Sequence, residues 1–286
     1  MRWSRTSDSD IEDRRGQGLP GGMALPVGGG GVIGVIVLIV TLLLRGGGGF
    51  DVGPSLNQFP NSATGGSNIG NAPDPDKDLV DFLGFVMKDV QASWQTKFQA
   101  AGRQYQPTKL VLFERATPTG CGTGSSATGP FYCPADGKVY LDLGFFRELR
   151  DRFGAPGDFA QAYVVAHEIG HHIQNLLGIE QDVRSQRERH PNDESDLSIR
   201  TELQADCFAG VWGQNAYDEK LLESGDLEEG LAAAAAVGDD RIQKQTTGRV
   251  DPETWTHGSS QQRVTWFRRG FDTGAVDNCD TFRGSI

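Results

Sequence analysis

The sequence predicts an α+β fold, mainly helical, with a small antiparallel sheet and one membrane-spanning helix ahead of the folded domain. Three observations carry that prediction. Apolar residues recur at helical spacing in several long segments of the C-terminal two thirds. Two short runs, 109–115 and 138–143, are rich in strand-forming residues. The stretch from Gly16 to Leu44 carries no charged residue, and its end, 32–44, is almost continuously apolar.

A chain of 286 residues suits one sizeable domain or two small ones. A net charge of -11 argues against nucleic acid as a partner, because no basic stripe is present to neutralise phosphates. Residues 1–27 are polar and Gly-rich, with Arg2, Arg5, Arg14 and Arg15 set among Asp8, Asp10, Glu12 and Asp13. They are predicted to be disordered. Residues 28–44 are expected to form the membrane anchor. A cleaved signal peptide would call for small residues at its end, whereas Leu42-Leu-Leu-Arg45 closes this run. Four arginines precede the segment and only Arg45 follows it closely. The positive-inside rule then puts the N-terminus in the cytoplasm and the bulk of the chain outside the cell membrane. Residues 45–73 are Gly, Ser, Asn and Pro with little else, a flexible tether to a domain spanning 74–286.

Within that domain, Asp74-Pro75 marks a helix start. Leu79, Leu83, Val86, Val90, Trp94 and Phe98 form one stripe, and Gly102 ends it. The run 109–115 is a strand, 116–137 a loop, and 138–143 a second strand that either lies inside the sheet or forms an edge able to pair with an extended peptide. Residues 145–153 make a short helix. Asp158 caps the next one, which runs to Leu177 with Gly178 as its stop. Residues 179–197, charged and broken by Pro and Asn, read as an exposed connection. Helical periodicity returns over 199–212 and again from Asp226 through 231–237. Asp239 and Asp240 read as helix-end or surface carboxylates. Ser259 and Gln262 have capping-box spacing ahead of a last helix.

The four cysteines, Cys121, Cys133, Cys207 and Cys279, contain no C-x-x-C pair, which argues against a cysteine metal site. Three pairings are open to them, as is a fully reduced state. Cys121–Cys133, closing a short loop, with Cys207–Cys279, is the favoured pairing, and it would require an oxidising compartment.

His167, Glu168 and His171 spell H-E-x-x-H on the helix that starts at Asp158. Residues four apart share a helix face, so both imidazoles can reach one Zn2+ while Glu168 can touch a water there. A catalytic zinc takes three protein ligands. Glu202 is the candidate for the third. Asp206, four residues on, is placed to accept the free ring N–H of a ligand histidine. His190 is the fallback ligand, and His172 faces away from the His167/His171 edge.

H-E-x-x-H followed by E-x-x-x-D on a second helix resembles the gluzincin metallopeptidases. Four longer runs, 129–136, 153–162, 204–212 and 256–263, resemble the bacterial "putative neutral zinc metallopeptidase" family, whose members are typically single-span membrane-anchored proteins. The resemblance covers about residues 75–285. It implies a gluzincin-like domain, one zinc per chain on His167, His171 and Glu202, and Glu168 as general base. The segment from Thr256 through Arg263 also looks like the T-H-P-x-x-x-R motif of membrane gluzincins, which would give His257 the oxyanion. Gly258 and Ser259 depart from the usual prolines there. The resulting expectation is a membrane-anchored zinc endopeptidase acting on peptides or proteins. A catalytically silent zinc scaffold and a zinc amidase acting on the cell wall are the alternatives. Oligomeric state is not legible.

Overall fold

Helical periodicity forms the helices it predicts, and the strands it marks meet in one sheet. The computed structural model describes residues 1–5, 9–17 and 74–286. The expected anchor and tether, 28–44 and 45–73, lie outside the described residues. Among the described residues no helix is long and apolar enough to cross a membrane.

Helix α1, Lys77–Ala100, buries Val80, Leu83, Val86, Val90, Trp94 and Phe98. Its N-cap is Asp76 and not Asp74, whose carboxylate instead accepts the Asp76 N–H at 3.0 Å. Strand β1 is Ile11–Asp13 and β2 is Leu110–Phe113. The segment read as a loop holds a hairpin of β3, Ala116–Thr119, and β4, Gly122–Ser125, and then β5, Phe131–Cys133. Strand β6 is Lys138–Asp142.

The main sheet has the order β1-β2-β6-β5. It is not the antiparallel sheet expected. Strand β6 pairs parallel to β2, and β1 does the same on the other side, so only β5 with β6 is antiparallel. The connection from β2 is long enough to hold the hairpin and β5, so β6 can return in the same sense as β2. Strand β6 is internal, and β5 is the edge. Side chains alternate as a pleated sheet requires. Leu110, Leu112, Val139 and Leu141 enter the main core, while Val111, Phe113, Cys133 and Tyr140 form a second small core with Phe131 and Cys121. Each large side chain buried this way contributes about 1.5–3 kcal/mol.

The helices continue with α2, Gly144–Asp151, and α3, Asp158–Leu177, ended by Gly178 in the left-handed region. The stretch read as an exposed connection is largely a helix, α4, Ile179–Arg189. Only Val183 on it is buried, which explains why no apolar stripe announced it. Helix α5, Glu194–Asp218, is followed by α6, Asp226–Ala236, α7, Asp239–Thr246, and α8, Ser260–Thr273. The Ser259/Gln262 capping box is present at α8. Helix α3 is central, packed against α5, α6 and α1 with the sheet beside it. It is apolar on nearly every face because every face is covered.

The first residues are ordered where disorder was expected. Strand β1 sets Ile11 opposite Leu110 and Asp13 opposite Leu112. The charges around it find partners on the domain: Glu12 meets Lys138 at 2.7 Å, Arg15 meets Asp74 at 2.6 Å, and the Met1 ammonium meets Asp158 at 2.8 Å. A segment that cannot build its own core is thus held by a core built elsewhere. Residues 11–13 thus add a parallel strand beside 110–112 of the main sheet. The two disulfides are those favoured, Cys121–Cys133 and Cys207–Cys279.

Candidate metal centre

Two helices cross where one of them lacks a side chain. A Cβ on Gly170 would stand 2.9 Å from the Ala205 carbonyl oxygen, so only glycine lets α3 approach α5 this closely. The crossing falls between His167 and His171 on α3 and between Glu202 and Asp206 on α5.

His167 Nε2 lies 3.3 Å from Glu202 Oε2, and His171 Nε2 lies 3.6 Å from Glu202 Oε1. One donor atom from each of the three residues falls within 4.8 Å of the others. A tetrahedral ion with bonds of about 2.0–2.1 Å holds its ligand atoms about 3.3 Å apart, so the set fits zinc. Both rings are oriented from behind. His167 Nδ1–H donates to Asp206 at 2.9 Å, and His171 Nδ1–H donates to Gln174 at 2.8 Å. Gln174 is itself fixed, donating to the Thr201 carbonyl at 2.7 Å. With each Nδ1 committed, each Nε2 faces the shared space as a lone-pair donor.

Charge supports the same reading. Burial alone would lower the His167 pKa, but the Asp206 and Glu202 carboxylates outweigh it and raise it to about 9. Glu168, Glu202 and Asp206 are three buried or nearly buried carboxylates, with Arg263 as their buried guanidinium. A dication added to Arg263 balances those three negative charges. The other close carboxylate group among the described residues is Asp158, Asp226 and Glu229. Its Asp158 and Asp226 already meet the Met1 ammonium at 2.8 and 3.2 Å.

Glu168 is buried and lines a cleft of about 800 Å³ together with the three donors. Burial raises its pKa, the direction a proton acceptor and donor near neutrality needs. His257 lines the same cleft from the turn before α8. Asp239, at the start of α7, accepts the His257 Nδ1–H at 3.0 Å and the backbone N–H groups of Thr256, His257 and Gly258 at 2.8, 2.7 and 3.1 Å. Asp239 is therefore a buried organiser of this turn and not a surface carboxylate. Gly258 has φ +86, which a proline ring cannot adopt, so the departure from the T-H-P pattern has a backbone cause.

Sequence reasoning gave no role in the site to Arg263, Gln174 or Asp239. Arg263 donates to both Asp206 oxygens, at 2.8 and 2.9 Å, and to the Tyr163 hydroxyl at 3.3 Å. It fixes the carboxylate that fixes His167. Its place as the arginine that closes the Thr256–Arg263 segment was the available signal. His172 points away as expected, bonding Tyr132 Oη at 3.0 Å and the Gln106 carbonyl at 2.7 Å. His190 is exposed at the end of α4 and stays outside the cluster.

The family model described as "Putative neutral zinc metallopeptidase" matches residues 1–282. The chain is 47% identical over 294 residues to "Uncharacterized protein YpfJ" of Escherichia coli (strain K12), covering 100% of both chains. It is 48% identical over 204 residues to "Uncharacterized protein Rv2575" of Mycobacterium tuberculosis (strain ATCC 25618 / H37Rv), covering 68% of this chain and 67% of that one. No solved structure matches.

Proposed function

The chain belongs to the family described as "Putative neutral zinc metallopeptidase", and on that premise we propose that it is a zinc-dependent endopeptidase. The observation that carries the reading is the convergence of His167, His171 and Glu202, with both histidines oriented through Nδ1. Zinc held there would act as a Lewis acid, bringing a water's pKa to about 7 and polarising the scissile carbonyl.

The rest of the chemistry falls to the chain. Glu168 takes a proton from the attacking water and returns it to the leaving amine. His257, steadied by Asp239, donates a hydrogen bond to the developing oxyanion. Asp206 and Arg263 hold His167 in the tautomer that leaves Nε2 free. The cleft walls from β5, α2 and α3 exclude water along an extended substrate.

The uncharged run ending at Leu44 favours attachment of this domain to a membrane. The two disulfides favour an oxidising compartment for the domain. Metal dependence is the first test. Chelated protein should be inert towards peptides and regain cleavage as one zinc per chain is restored. Full cleavage by the metal-free chain would refute the reading.

A further inference from the structure

One polar group in the cleft wall has no acceptor. Arg187, on α4, donates from Nη2 to Ser198 Oγ at 3.0 Å. Its Nε is closed off from solvent and bonds to nothing. A sealed guanidinium N–H without an acceptor is unusual in folded proteins and needs an explanation. Arg184 is three residues away on the same helix face. Among the described residues, neither arginine forms an ion pair with a carboxylate. Both line the same cleft as His171 and Glu202.

Position adds direction. Ser198 lies one helical turn before Glu202 on α5, so the bond to Ser198 holds Arg187 about one turn from the metal centre. Among the acidic residues of the cleft outside the metal cluster, Asp142 is engaged elsewhere. Asp142 accepts the backbone N–H groups of Arg115 and Gly144 at 3.0 and 2.8 Å. Glu180 stands on α4 itself, one turn before Arg184. Glu148 stands on α2. The α4 wall next to the metal centre thus carries two guanidinium groups and one carboxylate.

We infer that Arg187, supported by Arg184, is a binding site for a carboxylate of the substrate, close to the scissile bond. Guanidinium matches carboxylate with paired, charge-assisted hydrogen bonds, and Arg187 is held facing the cleft by its bond to Ser198. The carboxylate is either an acidic side chain or the free C-terminus of a short peptide. This inference rests on the reading of the cleft as a peptide site, but not on turnover.

The test is calorimetric binding to the zinc-loaded Glu168→Gln full-length chain, so that hydrolysis plays no part. Three peptides of one apolar sequence are compared: blocked at both ends, free at the C-terminus, and blocked with one internal Glu. At least one carboxylate peptide should bind about tenfold tighter or more than the fully blocked one. Which one does so identifies the source. Adding Arg187→Met should erase the difference, and Arg187→Lys should restore part of it. Zinc content, measured in each variant, reports that the centre is intact. Equal binding of the three peptides overturns the inference. So does a difference that survives in zinc-loaded Arg187→Met. If wild type shows the discrimination but never cleaves any peptide, the endopeptidase reading falls and the carboxylate site stands.

Discussion

Asp239 accepts four hydrogen bonds from a turn 17 to 19 positions downstream. An amide at that position would oppose its own N–H groups to the His257 Nδ1–H or give up part of the backbone set. His257→Ala is expected to lower kcat about 10²- to 10³-fold with KM little changed. Asp239→Asn should fall between that variant and wild type, and an Asp239→Asn enzyme with wild-type kcat would remove it from the positioning of His257. Asp89 offers a test of stability. Burial pushes its pKa up to about 6, against the bond it accepts from Trp212 Nε1 at 2.7 Å. The folded state binds this proton more tightly than the unfolded state, so stability falls as pH rises from about 4 through about 6 and is level above that. Asp89→Asn keeps an acceptor for Trp212 and removes the charge. It should gain about 2 kcal/mol over wild type at pH 7 and nothing at pH 4, read from denaturant midpoints. At this scale the sequence disclosed the residues whose spacing obeys a helix rule: His167, Glu168, His171, Glu202 and Asp206. It did not disclose Asp239, Gln174 or Arg263, because no periodicity links a side chain to a partner on another element.

The elements were legible where burial patterns them. Helix α3 and the capped start of α8 could be read because apolar period and cap chemistry coincide there. Helix α4 could not, since it buries only Val183 and its charges look like those of a loop. The sheet was misread for a different reason. Two adjacent strands suggest a hairpin, whereas the residues between them build a separate hairpin and an edge strand, and a parallel neighbour arrives from residues 11–13. The edge that borders the cleft is thus β5 and not β6. The most sensitive contact between elements is the crossing at Gly170. Gly170→Ala places a methyl against the Ala205 carbonyl and forces α3 and α5 apart. That should cost about 1–3 kcal/mol of stability. It should also weaken zinc binding, since the crossing sets the spacing of Glu202 from both histidines. Unchanged zinc affinity in a competition titration would show that the donors do not depend on the crossing.

Across the described residues, 1–5 and 9–15 pack onto the domain that follows the uncharged run. Met1, Arg5, Glu12 and Arg15 each meet a carboxylate or ammonium of the domain. Local composition predicted disorder because it counts only what a segment can bury by itself. The disulfides brace the domain around the site. Cys121–Cys133 fastens the β3–β4 hairpin to the end of the edge strand, and Cys207–Cys279 fastens the tail to α5 next to Asp206. We propose that this framework holds a zinc-activated water against a peptide bond, with Glu168 as the base. The most direct measurement is cleavage of a mixed peptide library by the zinc-loaded chain and by its Glu168→Gln variant at equal zinc content. Cleavage by wild type, with the variant reduced to background while retaining one zinc, is the predicted result. Comparable cleavage by both proteins, or none by either with zinc in place, would contradict it.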